Sequence, residues 1–494
     1  MAPILAKPVS RRTLLRTGGA FVGALGTLAL LEGLAWLPQR VAAADTLALP
    51  DVQFDLAPFV PPAQTFDGVT VRLPPVITAF VTARLSRAPS KDDQARMEAA
   101  LTTIEARYPY SPSGVFTHIA YSDNYFARLP ASLVSANTPR TLSDNQPVLK
   151  RAVPGPTDVA PGNHVLELRR PEFNVAVRME NNDLLFTVRS DVAAIVDDVV
   201  RWLSGSGRLK GDSLASPRFD ASMTITSHRA MFIQRGLPRR IADDQRLPFA
   251  SFVNPSSPMW MGFADQQIDA SSPAEDVTFV GGHGIRLSNA QPGDYFDNGS
   301  IQHLSHVLLD LRQFYLDGRD PKEGDVRENF DERLQYMFES PSQVQEDSKD
   351  PFTDGGGPRD LSTRGAFLPN VFRGANYANH SAQQFARMGH VSQLHRSGRT
   401  SDGRPIHLRI DGPGFDAMDT TTGQNTPKLQ FSGFFPSADF FSTLRRNQSS
   451  VDLLNAFDLE EEDHGIERFI TATRRQNFLI PPRRHRAFPL IERT

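Results

Sequence analysis

The stretch NNDLLFTVRSDVAAIVDDVVRWL, Asn181 to Leu203, decides the fold. DLLFTVRS is a short apolar run of strand type. Directly behind it, DVAAIVDDVVRWL offers Asp191 as N-cap and puts Ala194, Ile195, Val199 and Leu203 on one helix face. A strand running at once into an amphipathic helix builds an antiparallel or mixed sheet with helices on one side, the α+β class.

Working outward, a similar strand signal returns at GIERFITATR, residues 465–474. Two such regions far apart predict two related halves. Upstream, APSKDDQARMEAALTTIEARYP carries a capping Ser90 with Met97, Ala100, Leu101 and Ile104 at helical spacing, which predicts a helix. GVFTHIAYSDNYFARL predicts a strand over 115–121 and a short helix around Tyr125 and Phe126. Residues 45–75 are rich in proline and aromatics without a period and read as an extended arm wrapping the domain. Residues 317–370 are charged, end in Gly355, Gly356 and Gly357, and read as a helix followed by an insertion. The expected organisation is a targeting peptide over 1–44, the arm over 45–75, an N-terminal half over 76–250 and a C-terminal half over 251–494.

The first 44 residues have three parts. SRRTLLR, Ser10 to Arg16, sets Arg11 and Arg12 ahead of Leu14 and Leu15. A weakly hydrophobic run broken by Gly18, Gly19, Gly23, Gly26 and Glu32 follows, and Ala42, Ala43 and Ala44 offer small side chains for cleavage. Paired arginines before such a core form a twin-arginine export pattern, predicting a partner in the twin-arginine translocase and a periplasmic, cell-surface or secreted location. A permanent anchor fits less well, because a charge inside a bilayer span costs about 3 kcal/mol even on lenient scales.

Lysine and arginine total 53 against 56 acidic residues, a net charge of −3 with both signs mixed. That balance leaves no footprint for nucleic acid. There is no cysteine, which excludes disulfides, thiolate–zinc sites, cysteine-ligated iron–sulfur clusters and blue copper. Histidine-held haem, carboxylate or histidine metal sites, and noncovalent organic cofactors remain.

Several stretches, in one order, resemble the dye-decolourising (DyP-type) haem peroxidases. FTHIAYSDNYFARL is similar to that family's early strand and helix, and NNDLLFTVRSDVAAIVDDVVRWL to a later strand–helix pair. SPMWMGFADQ, 257–266, resembles its distal Gly-x-x-Asp-Gly motif, STLRRN, 442–447, its arginine-bearing segment, and GIERFITATRRQNFLIPPRRHR its closing strand. The resemblance implies two ferredoxin-like halves of the dimeric α+β barrel type, haem b, hydrogen peroxide as oxidant and a small one-electron donor, with a homo-oligomer possible. It implies Asp265 as the distal acid, Arg445 as its charged partner and Asn447 as a neighbour. Gly262 matches the motif's first glycine, while Gln266 stands where the second belongs. A carboxylate can carry a proton between peroxide oxygens, and a guanidinium stabilises the departing negative charge without titrating.

For the proximal haem-iron ligand the resemblance offers His390, in ARMGHVSQLHR, and His407, in GRTSDGRPIHLRIDGP; His390 is preferred, and His395 is a weaker third. Two rival readings stay open. One is a DyP-like fold acting as a binding or structural protein. The other is an exported enzyme with a histidine/carboxylate metal site, drawing on His303, His306, His464 and the acidic run 460–463. Where IQHLSHVLLDL forms a strand, His303 and His306 face opposite sides. His283, in VGGHGIRL, reads as a glycine-flanked turn.

Overall fold

The computed structural model describes residues 48–62, 64–66, 69–71, 74–163, 166–216, 222–255, 257–262, 273–284, 286–316, 383, 386–390, 393 and 407–494. The twin-arginine segment, Asp265, Gln266, His395 and the expected insertion lie outside them.

The N-terminal half is β1 (Ile77–Leu85), α1 (Lys91–Arg107), β2 (Phe116–Tyr121), β3 (Leu184–Ser190), α2 (Ala193–Leu203) and β4 (Met223–Phe232). Its strands pair antiparallel in the order β4–β1–β3–β2. The C-terminal half repeats the plan with β5 (Ser300–Leu309), α3 (Leu311–Leu316), the broken strand β6 (Leu408–Arg409) and β7 (Gly412–Asp416), then β8 (Thr426–Phe435), α4 (Ala438–Ser449) and β9 (Ile470–Ile480). Its order is β9–β5–β8, with β6 and β7 both on β8. Both halves are therefore ferredoxin-like. The fold is α+β, as the strand–helix units predict.

β9 and β2 join the halves into one ten-stranded sheet at Leu479 and Tyr121. The far edges also meet, so the sheet curls into a barrel. β7 packs beside β4, where a Cβ on Gly414 would sit 3.1 Å from the Ala230 carbonyl oxygen. Trp260 Nε1 donates to the Gly414 carbonyl at 3.1 Å, pinning that edge. Phe80, Leu185, Met231, Leu304, Phe434 and Phe478 converge inside.

Local chemistry explains the elements. Ser90 and Asp93 form a capping box on α1, and Met97, Ala100, Leu101 and Ile104 are buried, as predicted. The predicted cap of α2 is corrected. Val192 takes the cap position, because Asp191 Oδ1 accepts the Val76 amide at 3.0 Å and ties down the start of β1. The buried face accordingly carries Ala193, Val196, Val199, Val200 and Leu203, with Ala194 exposed.

The arm over the described residues 48–62 closes one barrel end. Phe54 stacks on Phe434 with centroids 4.5 Å apart, and Gln53 bonds the backbone of Ile119 and Pro481. Beyond β9 the chain crosses to the N-terminal half. Tyr121 Oη donates to the Arg486 carbonyl at 2.7 Å and accepts the Phe488 amide at 2.8 Å, while Tyr125 Oη donates to the Pro489 carbonyl. Arg486 reaches Glu98 and Glu105 of α1. No helix of the described residues is long and apolar enough to cross a membrane.

Candidate functional site

Above the helix-side face of the C-terminal sheet lies a buried polar network. Arg445, on the inner face of α4, sends both terminal nitrogens to Glu467, one at 2.9 Å, and the second also reaches Thr157 Oγ1 at 3.1 Å. Thr157 Oγ1 donates to Glu467 Oε2 at 2.6 Å, and Arg169 bonds the Thr157 and Glu467 carbonyls. Burial alone would lift the Glu467 carboxyl, but Arg445 and Thr157 hold it at about 2.

A second bidentate pair stands alongside. Arg475, on β9, clamps Asp158 at 2.6 and 2.8 Å and donates to Ser305 Oγ at 2.9 Å. Ser305 Oγ meets His303 Nε2 at 2.6 Å, and His303 Nδ1 meets Asn477 Oδ1 at 2.7 Å. The His303 ring stacks on Phe441 with centroids 3.4 Å apart. Burial and the Arg475 charge push this imidazole down to about 3, so it stays neutral. A cavity of about 300 Å³ opens beside Arg445, lined by residues 153–156, Gly162, Asn163, Phe441, Ser442, Arg445 and Arg446.

His390 lies two residues past Met388, whose amide bonds the Asp463 carbonyl at 2.8 Å. Burial, with the charges of Arg409 and Arg445, pushes its imidazole down to about 4 against the pull of Glu467. His390, Arg445 and Glu467 therefore share one electrostatic neighbourhood. His407 is buried elsewhere, stacked on Phe435 with centroids 5.9 Å apart. Asn447 lies two residues past Arg445, its Nδ2 buried without a hydrogen-bond partner among the described residues. Gly262 has φ 84°, the left-handed conformation that a glycine takes most readily, while Asp265 falls outside the described residues.

The residues that sequence reasoning missed are Glu467, Thr157, Asp158, Arg409 and Arg475. Thr157 and Glu467 are 310 positions apart, so no local spacing could link them. Arg409 stood in view, two residues after His407.

The histidines of the rival metal reading do not converge. His303 faces the helices, whereas His306 points the other way, with Nε2 3.5 Å from Asp416 and Nδ1 3.4 Å from Asp419. His464 is buried beneath Ser449 and Ser450. The histidine/carboxylate trio found among the described residues is another one, Glu275, Asp276 and His283. There Nδ1 lies 2.7 Å from Asp276 and Nε2 lies 3.2 Å from Glu275.

Comparison with known proteins adds the following. A family model described as a family of unknown function (DUF7405) matches residues 75–152 and 160–482. No curated protein matches. Among solved structures, a Rhodococcus jostii RHA1 DypB variant in complex with heme is 14% identical at a TM-score of 0.46, covering 87% of this chain and 96% of its own. A putative dyp-type peroxidase protein from Shewanella oneidensis is 14% identical at 0.43, over 82% and 92%. A dye-decolorizing protein from V. cholerae is 12% identical at 0.42, over 83% and 95%. Because the family match runs from just before β1 to just past the end of β9, the chain belongs to that family of unknown function, DUF7405.

Proposed function

We propose that the protein is an exported haem-dependent peroxidase of the DyP-like type, reducing hydrogen peroxide with a small one-electron donor. The observation that carries this reading is His390, half-buried with its Nδ1 enclosed, in the field of the charged Glu467–Arg445 pair and neutral down to about pH 4. A neutral imidazole keeps a ring-nitrogen lone pair for iron, and a nearby carboxylate raises its basicity. These residues fit haem b. His390 would hold the iron, and haem, when bound, would supply the redox centre for peroxide.

In this reading Asp265 moves a proton between the peroxide oxygens. Arg445 is committed to Glu467 through both terminal nitrogens, so its part is to position that carboxylate. The same commitment favours a second reading, a binding protein on this fold without peroxidase activity. The twin-arginine segment supports export.

The test is the Soret absorbance of purified, haem-reconstituted protein. A band that is lost in His390→Ala and kept in His407→Ala supports the assignment. A wild-type protein that takes up no haem sinks it. Haem uptake with peroxide turnover unchanged in Asp265→Ala removes the proton-transfer role. Haem uptake with no turnover leaves the binding-protein reading. Cell fractionation of an Arg11→Lys/Arg12→Lys protein tests the route, with retention in the cytoplasm expected.

A further inference from the structure

The barrel interior is not wholly apolar. On the cross-strand register, Thr78 and Phe80 of β1 face Arg189 and Thr187 of β3, and Thr187 faces His118 of β2. Gln302 of β5 reaches into the same space. Its Nε2 lies 2.9 Å from Ser432 Oγ and 3.4 Å from Thr187 Oγ1.

Arg189 is 4% exposed, and its Nε donates to Thr78 Oγ1 at 3.1 Å. Among the described residues its Nη2 is buried without a hydrogen-bond partner, and no carboxylate makes an ion pair with it. Nearby Asp191 spends Oδ1 on the Val76 amide. His118, also 4% exposed, has the Gln302 side chain as its hydrogen-bonding neighbour and the Arg189 charge close to its ring. Gln302 is fully buried with Oε1 unpartnered. Phe54 on Phe434 shuts the end of this chamber.

A buried guanidinium with an idle N–H and no counter-charge is costly, and such groups are normally paired or bonded. Arg189 keeps that idle N–H close to His118, and the nearest carboxylate, Asp191, makes no ion pair with it. We propose that the barrel interior binds one small monovalent inorganic anion, of halide or nitrate size, between Arg189 and His118. The closed end argues for a compact ion over an organic carboxylate. The site lies in the barrel, away from the Glu467–Arg445 network, and is independent of the haem reading.

The experiment purifies and crystallises the full chain in bromide and records anomalous scattering at the bromine edge. One bromide peak within hydrogen-bond reach of Arg189 Nη2 is expected; water or no density there overturns the proposal. In solution, replacing gluconate by chloride at constant ionic strength should raise Tm by roughly 2–4 °C. The rise should survive in Arg189→Lys and vanish in Arg189→Met. A wild-type Tm indifferent to the exchange also overturns it. Should Arg189→Met fail to fold, the bromide map of the unaltered protein decides alone.

Discussion

Arg445 and Glu467 form a two-pronged ion pair sealed beneath α4, with Thr157 completing the carboxylate's shell. The pair joins α4 to the turn that launches β9. It also sets the field in which His390 sits.

Breaking that pair from one side strands a charge. Arg445→Met should destabilise the protein by about 3–5 kcal/mol, because Glu467 keeps its burial and loses its partner. Arg445→Met/Glu467→Met should recover much of that loss. Urea unfolding of both singles and the double closes the cycle, and strictly additive losses would contradict the coupling.

The same network and three enclosed or half-buried histidines predict acid sensitivity in two stages. His118, His303 and His390 are held below their ordinary 6.5, at about 3, 3 and 4. Their contribution is complete above 6.5 and declines as pH falls toward those values, since the unfolded chain binds the protons first. Glu467 is held at about 2 against an ordinary 4.5, so its share is present above 4.5 and is lost between 4.5 and 2. For Glu467 this amounts to roughly 3 kcal/mol. Denaturant midpoints from pH 7 to pH 2 should fall in both windows, and Glu467→Gln should flatten the lower one.

Gly465 has φ 60°, and a Cβ there would lie 2.2 Å from Gln393 Oε1. Gly465→Ala combines left-handed strain with a clash against the turn that carries His390. A loss of about 1–3 kcal/mol is expected. Faster proteolytic cleavage around 386–393 should accompany it, and an unchanged cleavage pattern would show that the turn absorbs the methyl group.

Tyr121→Phe removes a hydroxyl that donates to the Arg486 carbonyl and accepts the Phe488 amide. Both groups are then unsatisfied in a dry interface, at a cost of about 2–4 kcal/mol. Hydrogen exchange at the Phe488 amide is the direct readout, and protection equal to wild type would refute the assignment.

How much was legible follows from where the information is local. The capping box of α1 and its buried face sit in consecutive residues, so they could be read. The cap of α2 could not, because Asp191 is drawn away by Val76, 115 positions earlier. The barrel was legible only through the family resemblance, not through periodicity. β3 and β5 are buried on both faces, so no polar alternation marks the inside. Arg189 therefore looks like any strand arginine until the register places it in the barrel. At the candidate site, histidine and arginine could be singled out as types. The carboxylates that govern them arrive from a loop and a strand entry with no period to betray them.

The segment beyond β9 has a consequence in time. Its backbone carbonyls and Arg486 complete the outer packing of β2 and α1, elements synthesised several hundred residues earlier. The first half of the molecule therefore leaves the ribosome with part of its surface uncovered. It reaches its final form only when the last dozen residues arrive. The two halves are one cooperative unit closed by a late clasp, and a cut between them should leave neither fragment able to fold alone.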